Sequence, residues 1–376
     1  MSETENTSSE PLHVAVLPGD GIGREVTEEA LKVLDAASSV STLAYRLSSF
    51  PHGADHYLRT GELLGEEALR ELDACDAVFF GAVGDPRVPP RILERGILFA
   101  ITTRHDMFLS VRPYRLYRPD LSPLRNPRPA GLDLVIVREA AEDVFAVPGG
   151  SLRTDQPGEV SVGSVVFTRR TVEAVIRYGF QLARRRNGLR RVTVVDQSNV
   201  ATVYDIWPRV LAQVSDEFPD VETGHEAPDA FAMQVVRDPS RYDVVVTSWM
   251  LGGIFADLSA ALAGGIGLSG SARLSPGGLS LFEPTHGSAP KYAGQNVVSP
   301  LGAIQAMAML LDSNGRHDTA ALIEEAIAVV LREGRIPSAD TRSGVPTSRQ
   351  GDLVAEAVSA IGKGGSPAIR DEIGAL

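Results

Sequence analysis

The sequence predicts an α/β protein with more than one domain, and three observations carry that prediction. Short apolar runs of strand character alternate with longer segments of helical periodicity along most of the chain. Two of these runs end in small residues, Pro18-Gly-Asp-Gly-Ile-Gly23 and Gly81-Ala-Val-Gly-Asp-Pro86, as strands do where a sheet turns its carboxyl ends toward a ligand. The length of 376 residues, 43% of them hydrophobic, suits two domains around a large core.

Leu12 to Leu17 reads as the first strand, and Pro18 to Gly23 turns it into a helix from about Arg24 to Ala37. That turn lacks the full glycine fingerprint of a nucleotide loop, so local chemistry favours a tight strand-to-helix turn. A helix over Gly65 to Asp73 leads into a strand at Ala77 to Phe80, and Thr103 to Ser110 begins a third apolar segment. A loop with prolines at 119, 123, 127 and 129 then crosses between domains. Leu134 to Val137 is a strand ending at Arg138-Glu139, and the polar, turn-rich stretch Pro148 to Gly163 reads as a projecting arm. Helices at Arg169 to Arg185, Val203 to Phe218 and Ala230 to Val236 interleave with strands at Val192 to Val195 and Asp243 to Thr247. Ile254 to Ala263 is helical, Gly264 to Gly278 is glycine-rich, and two terminal helices span Leu301 to Leu311 and Thr319 to Leu331. The small residues of Ala260 to Gly267 suit a close contact between domains or subunits.

A net charge of −12 repels polyanions and argues against a nucleic-acid partner. The dense cluster Arg184, Arg185, Arg186, Arg190 and Arg191 reads as a solvated helix end. No apolar run is long enough for a membrane span, and Met1 to Pro11 is an acidic, frayed tail and not a targeting peptide. The lone Cys75, with no partner for an intramolecular disulfide, fits a reducing cytoplasm.

The most informative stretch is Phe282 to Pro300, where His286, Gly287, Ser288, Lys291 and Tyr292 share one short loop. Gly287 allows close backbone approach, exposed N–H groups can face phosphate oxygens, and Lys291 adds a compact charge beside a phenol. The same composition also suits a plain surface loop.

Taken together, several blocks resemble the isocitrate and isopropylmalate dehydrogenase family, the metal-dependent β-decarboxylating dehydrogenases that include tartrate dehydrogenase. The blocks are Leu17-Pro-Gly-Asp-Gly-Ile-Gly23, Val111-Arg-Pro113, Val137-Arg-Glu139, Phe167-Thr-Arg-Arg170, Val195-Asp-Gln-Ser-Asn199, Asp229 to Gln234 and Glu283 to Gly294. The resemblance runs from about Val14 to Val358 and implies that family's two-domain fold with a central cleft, not a Rossmann fold. It implies a large cofactor-binding domain over 12–107 and 264–376, a small dimerisation domain over 108–263 with an arm near 148–165, and a homodimer sharing its sites. It further implies oxidation of a 2-hydroxy acid by a nicotinamide cofactor, followed by loss of CO₂ from the keto acid. Arg112 and Arg138 match substrate arginines, Asp229 and Asp257 match carboxylates for Mg²⁺ or Mn²⁺, and Asn199 matches an asparagine on the nicotinamide side. Ile22, Glu94, Asn199, His286, Gly287, Ser288, Ala289, Lys291, Tyr292 and Asn296 form the implied cofactor site. Lys291-Tyr292 resembles the NADP-using version, because a cation favours the added 2′-phosphate and a carboxylate would repel it, with NAD as the alternative.

The departures lie at the reacting centre. Phe145 stands at the family's tyrosine and Gln197 at its lysine, so neither proton carrier is intact. Gly253 replaces a metal aspartate, Trp249 takes an asparagine's place, and a further substrate arginine falls at Thr102, for which Arg104 substitutes only if the helix register shifts. These changes predict a divergent NADP(H)-linked oxidoreductase acting on an unusual 2-hydroxy dicarboxylic acid, with ordinary family turnover reduced. Two other readings compete: a non-catalytic or regulatory homologue that binds nucleotide or carboxylate beside an active partner subunit, and a metal-dependent decarboxylase or lyase without net redox.

Overall fold

The computed structural model describes residues 10–125 and 131–364. The tail up to residue 9, and the stretch of the proline loop holding Pro127 and Pro129, lie outside the described residues. In chain order the elements are β1 (Leu12–Gly19), α1 (Gly23–Ser39), β2 (Tyr45–Ser49), α2 (Ala54–Thr60), α3 (Glu66–Leu72), β3 (Ala77–Ala82), α4 (Ala100–Arg104), β4 (Leu109–Arg115) and β5 (Asp133–Glu139). The middle of the chain forms β6 (Gly149–Leu152), β7 (Val160–Gly163), α5 (Arg169–Arg186), β8 (Arg191–Val195), α6 (Ile206–Ser215), β9 (Glu222–Glu226), α7 (Pro228–Arg237), β10 (Val244–Thr247) and α8 (Trp249–Ala263). The last third adds β11 (Gly270–Leu274), β12 (Ser280–Pro284), α9 (Leu301–Ser313), α10 (His317–Arg332) and α11 (Thr347–Gly362).

Ten strands form one sheet in the order β2-β1-β3-β12-β11-β4-β5-β10-β8-β9. Its two wings are parallel, and antiparallel pairings of β12 with β11, β11 with β4, and β4 with β5 join them. The first five strands in that order come from 12–107 and 264–376, and the other five from 108–263. Helices cover both faces: Val14 and Val16 of β1 pack into one apolar cluster, and Ala15 and Leu17 into a second on the opposite side. Burial on both faces explains why these strands read as continuous apolar runs.

Several boundaries differ from the sequence reading. Thr103 to Ser110 is not one segment, since α4 ends at Arg104 and β4 begins at Leu109. The glycine-rich stretch contains β11, whose small residues allow tight packing: a Cβ on Gly270 would sit 2.7 Å from the backbone nitrogen of Ala306 in α9. The helix expected from Val203 opens as a 3-10 turn over Thr202–Asp205 before α6. The edge strands β2 and β9 are largely exposed and carry no apolar pattern to betray them, and α11 is a further helix. The arm is a two-stranded ribbon of β6 and β7, with Leu152, Val160 and Val162 exposed.

Arg184, Arg185 and Arg190 of the arginine cluster are exposed, as a solvated helix end requires, and ion pairs hold several positions. Arg184 pairs with Asp220, Arg191 with Glu222, and the buried Arg186 with both Asp133 and Asp243. Cys75 is buried, and burial pushes its thiol up to about 11, so little thiolate forms near neutrality. No helix among the described residues is long and apolar enough to cross a membrane.

Candidate active site

Strand register assembles the site. In the antiparallel pair of β4 and β5, Ser110 lies opposite Arg138 and Arg112 opposite Ile136. On the other side of β4, Ser110 lies opposite Arg273 of β11, whose Ser271 faces Glu283 of β12. Residues two apart on a strand, and those directly opposite across it, share a face. One sheet face therefore carries Arg112, Arg138, Arg273, Ser110, Ser271 and Glu283 together.

All three arginines are more than nine-tenths buried, at 8%, 4% and 7% exposure for Arg112, Arg138 and Arg273. The Arg273 Nε donates to a Glu283 carboxylate oxygen at 2.7 Å. The Nε of Arg112, the Nε of Arg138, one terminal nitrogen of Arg273 and the hydroxyls of Ser110 and Ser271 have no hydrogen-bond partner among the described residues. Burial first, then the charges of Arg112 and Arg273, weigh against the charged form of Arg138 and pull its pKa well down. A guanidinium nevertheless keeps its proton in proteins, so the face is positively charged, desolvated and underbonded. Such a surface calls for an anion. Tyr114, on the same face, has its phenol pushed up to about 12 by burial and stays neutral.

The loop after β5 is tied to the start of α8 by Asp143. This fully buried carboxylate accepts from the backbone N–H of Val144 at 2.8 Å and of Met250 at 2.9 Å. The tie sets Phe145 against Trp249, with ring centroids 4.9 Å apart, and Phe99 meets Trp249 edge-on at 6.1 Å. Gly252 lies hard against Arg138, where a Cβ would fall 2.8 Å from the arginine Cβ. A Cβ on Gly253 would meet only an Arg138 terminal nitrogen, at 3.4 Å. Asp257 is exposed one turn further along α8. Asp229, in the first turn of α7, is exposed and accepts from the N–H of Ala230. Among the described residues no three His, Cys, Asp or Glu side chains gather as metal ligands, so a single chain does not by itself fit the expected Mg²⁺ or Mn²⁺.

Gln197 follows β8 and donates to the Asn199 side chain at 3.2 Å. Thr247 of β10 lies opposite both Arg138 and Val195, so Gln197 reaches the same sheet edge as Arg138, displaced by two strand spacings, roughly 10 Å. Thr102 is buried, with its hydroxyl directed at the Phe99 carbonyl at 3.4 Å. Arg104 pairs with Asp73 at 2.6 Å and Glu66 at 3.1 Å and does not supply the missing arginine. The segment Glu94–Phe99 just before α4 is π-helical, a geometry that holds one extra residue per turn.

The loop after β12 docks on the first strand-to-helix turn. The Ile22 N–H donates to the Ser288 carbonyl at 2.9 Å, and Gly21 (φ +55°) comes so close that a Cβ there would lie 2.0 Å from the same oxygen. A Cβ on Gly84 would sit 3.1 Å from the Ser288 hydroxyl and 3.7 Å from a Glu94 carboxylate oxygen, so Ile22, Glu94 and Ser288 come together. His286 donates through Nδ1 to the Gly287 carbonyl at 3.0 Å, which leaves Nε2 as an unpartnered acceptor among the described residues. Burial lowers the imidazole pKa and keeps the ring neutral. Ala289 adopts φ +37°, Lys291 Nζ lies 4.6 Å from the Tyr292 ring centre, and Lys291 holds the phenol pKa below its usual value. Thr341 also bonds Tyr292, which brings the exposed Arg342 into the neighbourhood. Asn296 is committed to structure: its side chain exchanges hydrogen bonds with Ser348 at the start of α11.

The sequence model described as Isocitrate/isopropylmalate dehydrogenase matches residues 13–354. The chain belongs to this family. It is 40% identical over 355 residues to the 3-isopropylmalate dehydrogenase of Thermobifida fusca, covering 94% of this chain and 99% of that protein. It is 44% identical over 326 residues to the 3-isopropylmalate dehydrogenase of Frankia casuarinae, covering 86% and 93%. The isocitrate dehydrogenase of Methylococcus capsulatus superposes with a TM-score of 0.80 at 29% identity, covering 93% of this chain and 99% of that one. A β-decarboxylating dehydrogenase from Thermococcus kodakarensis gives 0.75 at 30% identity, covering 93% and 97%.

In this member of the isocitrate/isopropylmalate dehydrogenase family, Glu283 links the arginine face to the loop after β12, since it bonds Arg273 and interacts with His286. Three residues escaped the sequence reading. Asp143 gives no local signal, because its partner Met250 lies far along the chain. Arg342 sits in a loop that only the fold carries to Tyr292. Arg273 alternates with small residues on β11, and recognising that strand would have placed its side chain on the face of Ser271.

Proposed function

We propose that this chain is an NADP(H)-linked oxidoreductase of the β-decarboxylating dehydrogenase family, acting on a 2-hydroxy acid with two carboxylates. One observation carries the reading: Arg112 and Arg138 are buried with unpaired N–H groups beside the cofactor loop. Guanidinium forks bind carboxylates strongly where water is excluded, which fixes the acid and aims its hydroxyl carbon at the cofactor. NADP⁺, when bound, accepts the hydride. Lys291 and Tyr292 present a cationic and a phenolic group suited to a 2′-phosphate, while Arg342 nearby is held by Asp340 at 2.7 Å. Neither Phe145 nor Gln197 can hold or release a proton, so proton movement falls to water in this reading. The relatives named 3-isopropylmalate dehydrogenase make 3-isopropylmalate the first substrate to test. Two domains, 12–107 with 264–376 and 108–263, would meet at the pairing of β11 with β4, and the exposed apolar ribbon of the arm suits a homodimer.

The aromatic group of Phe99, Trp249 and Phe145 favours a second reading, a ligand-binding homologue without turnover, because it fills the relay position with rings that carry no acid or base. Fluorescence titration with NADPH and NADH, with and without Mg²⁺, followed by turnover of 3-isopropylmalate, separates the two. Binding that prefers NADPH, and a Lys291→Asp variant that weakens NADPH much more than NADH, are expected. Equal weakening of both cofactors removes the phosphate assignment. Binding without turnover of any 2-hydroxy dicarboxylate selects the second reading.

A further inference from the structure

We infer that Arg273 is a third ligand-binding arginine of this site, supplied by β11, and that it holds the second carboxylate of a dicarboxylic acid. The inference rests on the reading of Arg112 and Arg138 as carboxylate ligands. The helix position where the family resemblance places a further arginine is Thr102, whose hydroxyl points to a backbone carbonyl, and Arg104 is taken by Asp73 and Glu66. Arg273 instead stands across β4 from Arg138, each opposite Ser110, with one terminal nitrogen unpaired.

Charge and hydrogen bonding point the same way. Among the described residues Glu283 is the one carboxylate hydrogen-bonded to these three guanidinium groups, so two of the positive charges have no bonded counter-charge. A dianion neutralises them, whereas a monocarboxylate leaves one buried charge uncompensated. Glu283 orients Arg273 by accepting from its Nε, which leaves a terminal edge of the guanidinium for a ligand. The buried hydroxyls of Ser110 and Ser271 lie between the arginines and add two unused donors to the same cradle.

The test is calorimetric titration of the full chain with D-malate, a 2-hydroxy dicarboxylate, and D-lactate, which lacks the second carboxylate. Arg273→Met combined with Glu283→Gln removes the pair without stranding a buried charge. This double variant is expected to weaken D-malate by roughly 10- to 100-fold, as for loss of a hydrogen bond to a charged group, and to leave D-lactate within about twofold. Arg112→Met is expected to weaken both acids. Arg273→Lys keeps the charge but loses the fork, and its expected loss for D-malate is smaller; this variant decides the matter if the double variant does not fold. Unchanged D-malate affinity in the Arg273 variants, with loss in Arg112→Met, overturns the role of Arg273 and leaves the carboxylate site standing. Unchanged affinity in Arg112→Met, or binding of neither acid by the unaltered chain, overturns both.

Discussion

Glu283→Gln isolates the electrostatics of the arginine face. The substitution keeps a carbonyl oxygen that can accept from Arg273 Nε, but it removes the single negative charge bonded to that guanidinium, at a pair whose side chains are only 8% and 10% exposed. At an effective dielectric near 20, a charge separation of about 4 Å is worth about 4 kcal/mol, and removing one partner of a buried pair costs about 3–5 kcal/mol. Retention of a neutral hydrogen bond offsets about 1 kcal/mol, so the expected loss is about 2–4 kcal/mol. Urea unfolding reads it as a lower midpoint at unchanged slope. Adding sulfate should return part of the loss in the variant, because an anion that binds only the native state stabilises it by mass action. The companion double variant with Arg273→Met should lose less than the two single variants added together. A Glu283→Gln midpoint equal to that of the unaltered chain, with or without sulfate, refutes the picture of a desolvated and uncompensated cation cluster.

Glu139, fully buried, has its carboxyl pushed up to about 7 from 4.5 by burial, against hydrogen bonds from the Ala141 and Glu142 N–H groups. The folded state therefore favours the protonated acid: its contribution is fully present below pH 4.5 and is lost as pH rises through about 7, a loss of about 2–3 kcal/mol between about pH 5 and pH 8. Urea midpoints across that range should show a component that Glu139→Gln removes, and a parallel profile in the variant contradicts the assignment. Asp143→Ala strands the Val144 and Met250 N–H groups, with an expected cost of about 2–4 kcal/mol and a changed Trp249 emission as Phe145 loosens; unaltered emission would mean that the tie does not set the aromatic contact. Restoring Phe145→Tyr, Gln197→Lys and Gly253→Asp together should raise turnover of 3-isopropylmalate by at least about 100-fold, since one recovered acid or base is worth that much. The space beside Gly253 admits the carboxylate, so absence of any gain shows that more than the relay and metal ligand has been lost.

The sequence by itself determined what local pattern encodes. Continuous apolar runs such as Val244–Thr247 identify strands buried on both faces, helical periodicity identifies α1 and α5, and glycine and proline mark the stretch from His286 to Tyr292 as a loop. The resemblance marks Gln197 as a departure from within the block Val195-Asp-Gln-Ser-Asn199, and Phe145 and Gly253 from their spacing to Val137-Arg-Glu139 and to Asp257. The tertiary structure alone decided the rest. Strands β2 and β9 are exposed edges that need no apolar alternation, and the small residues of β11 look like a loop until its two antiparallel neighbours are known. Arg112 and Arg138 come from consecutive strands and Arg273 from a strand far along the chain, and only sheet register gathers them on one face. Local pattern specifies which residues form a strand, but which strands are neighbours depends on burying both faces of the whole sheet. The charge of the site, being a sum over those neighbours, is therefore a property of the fold.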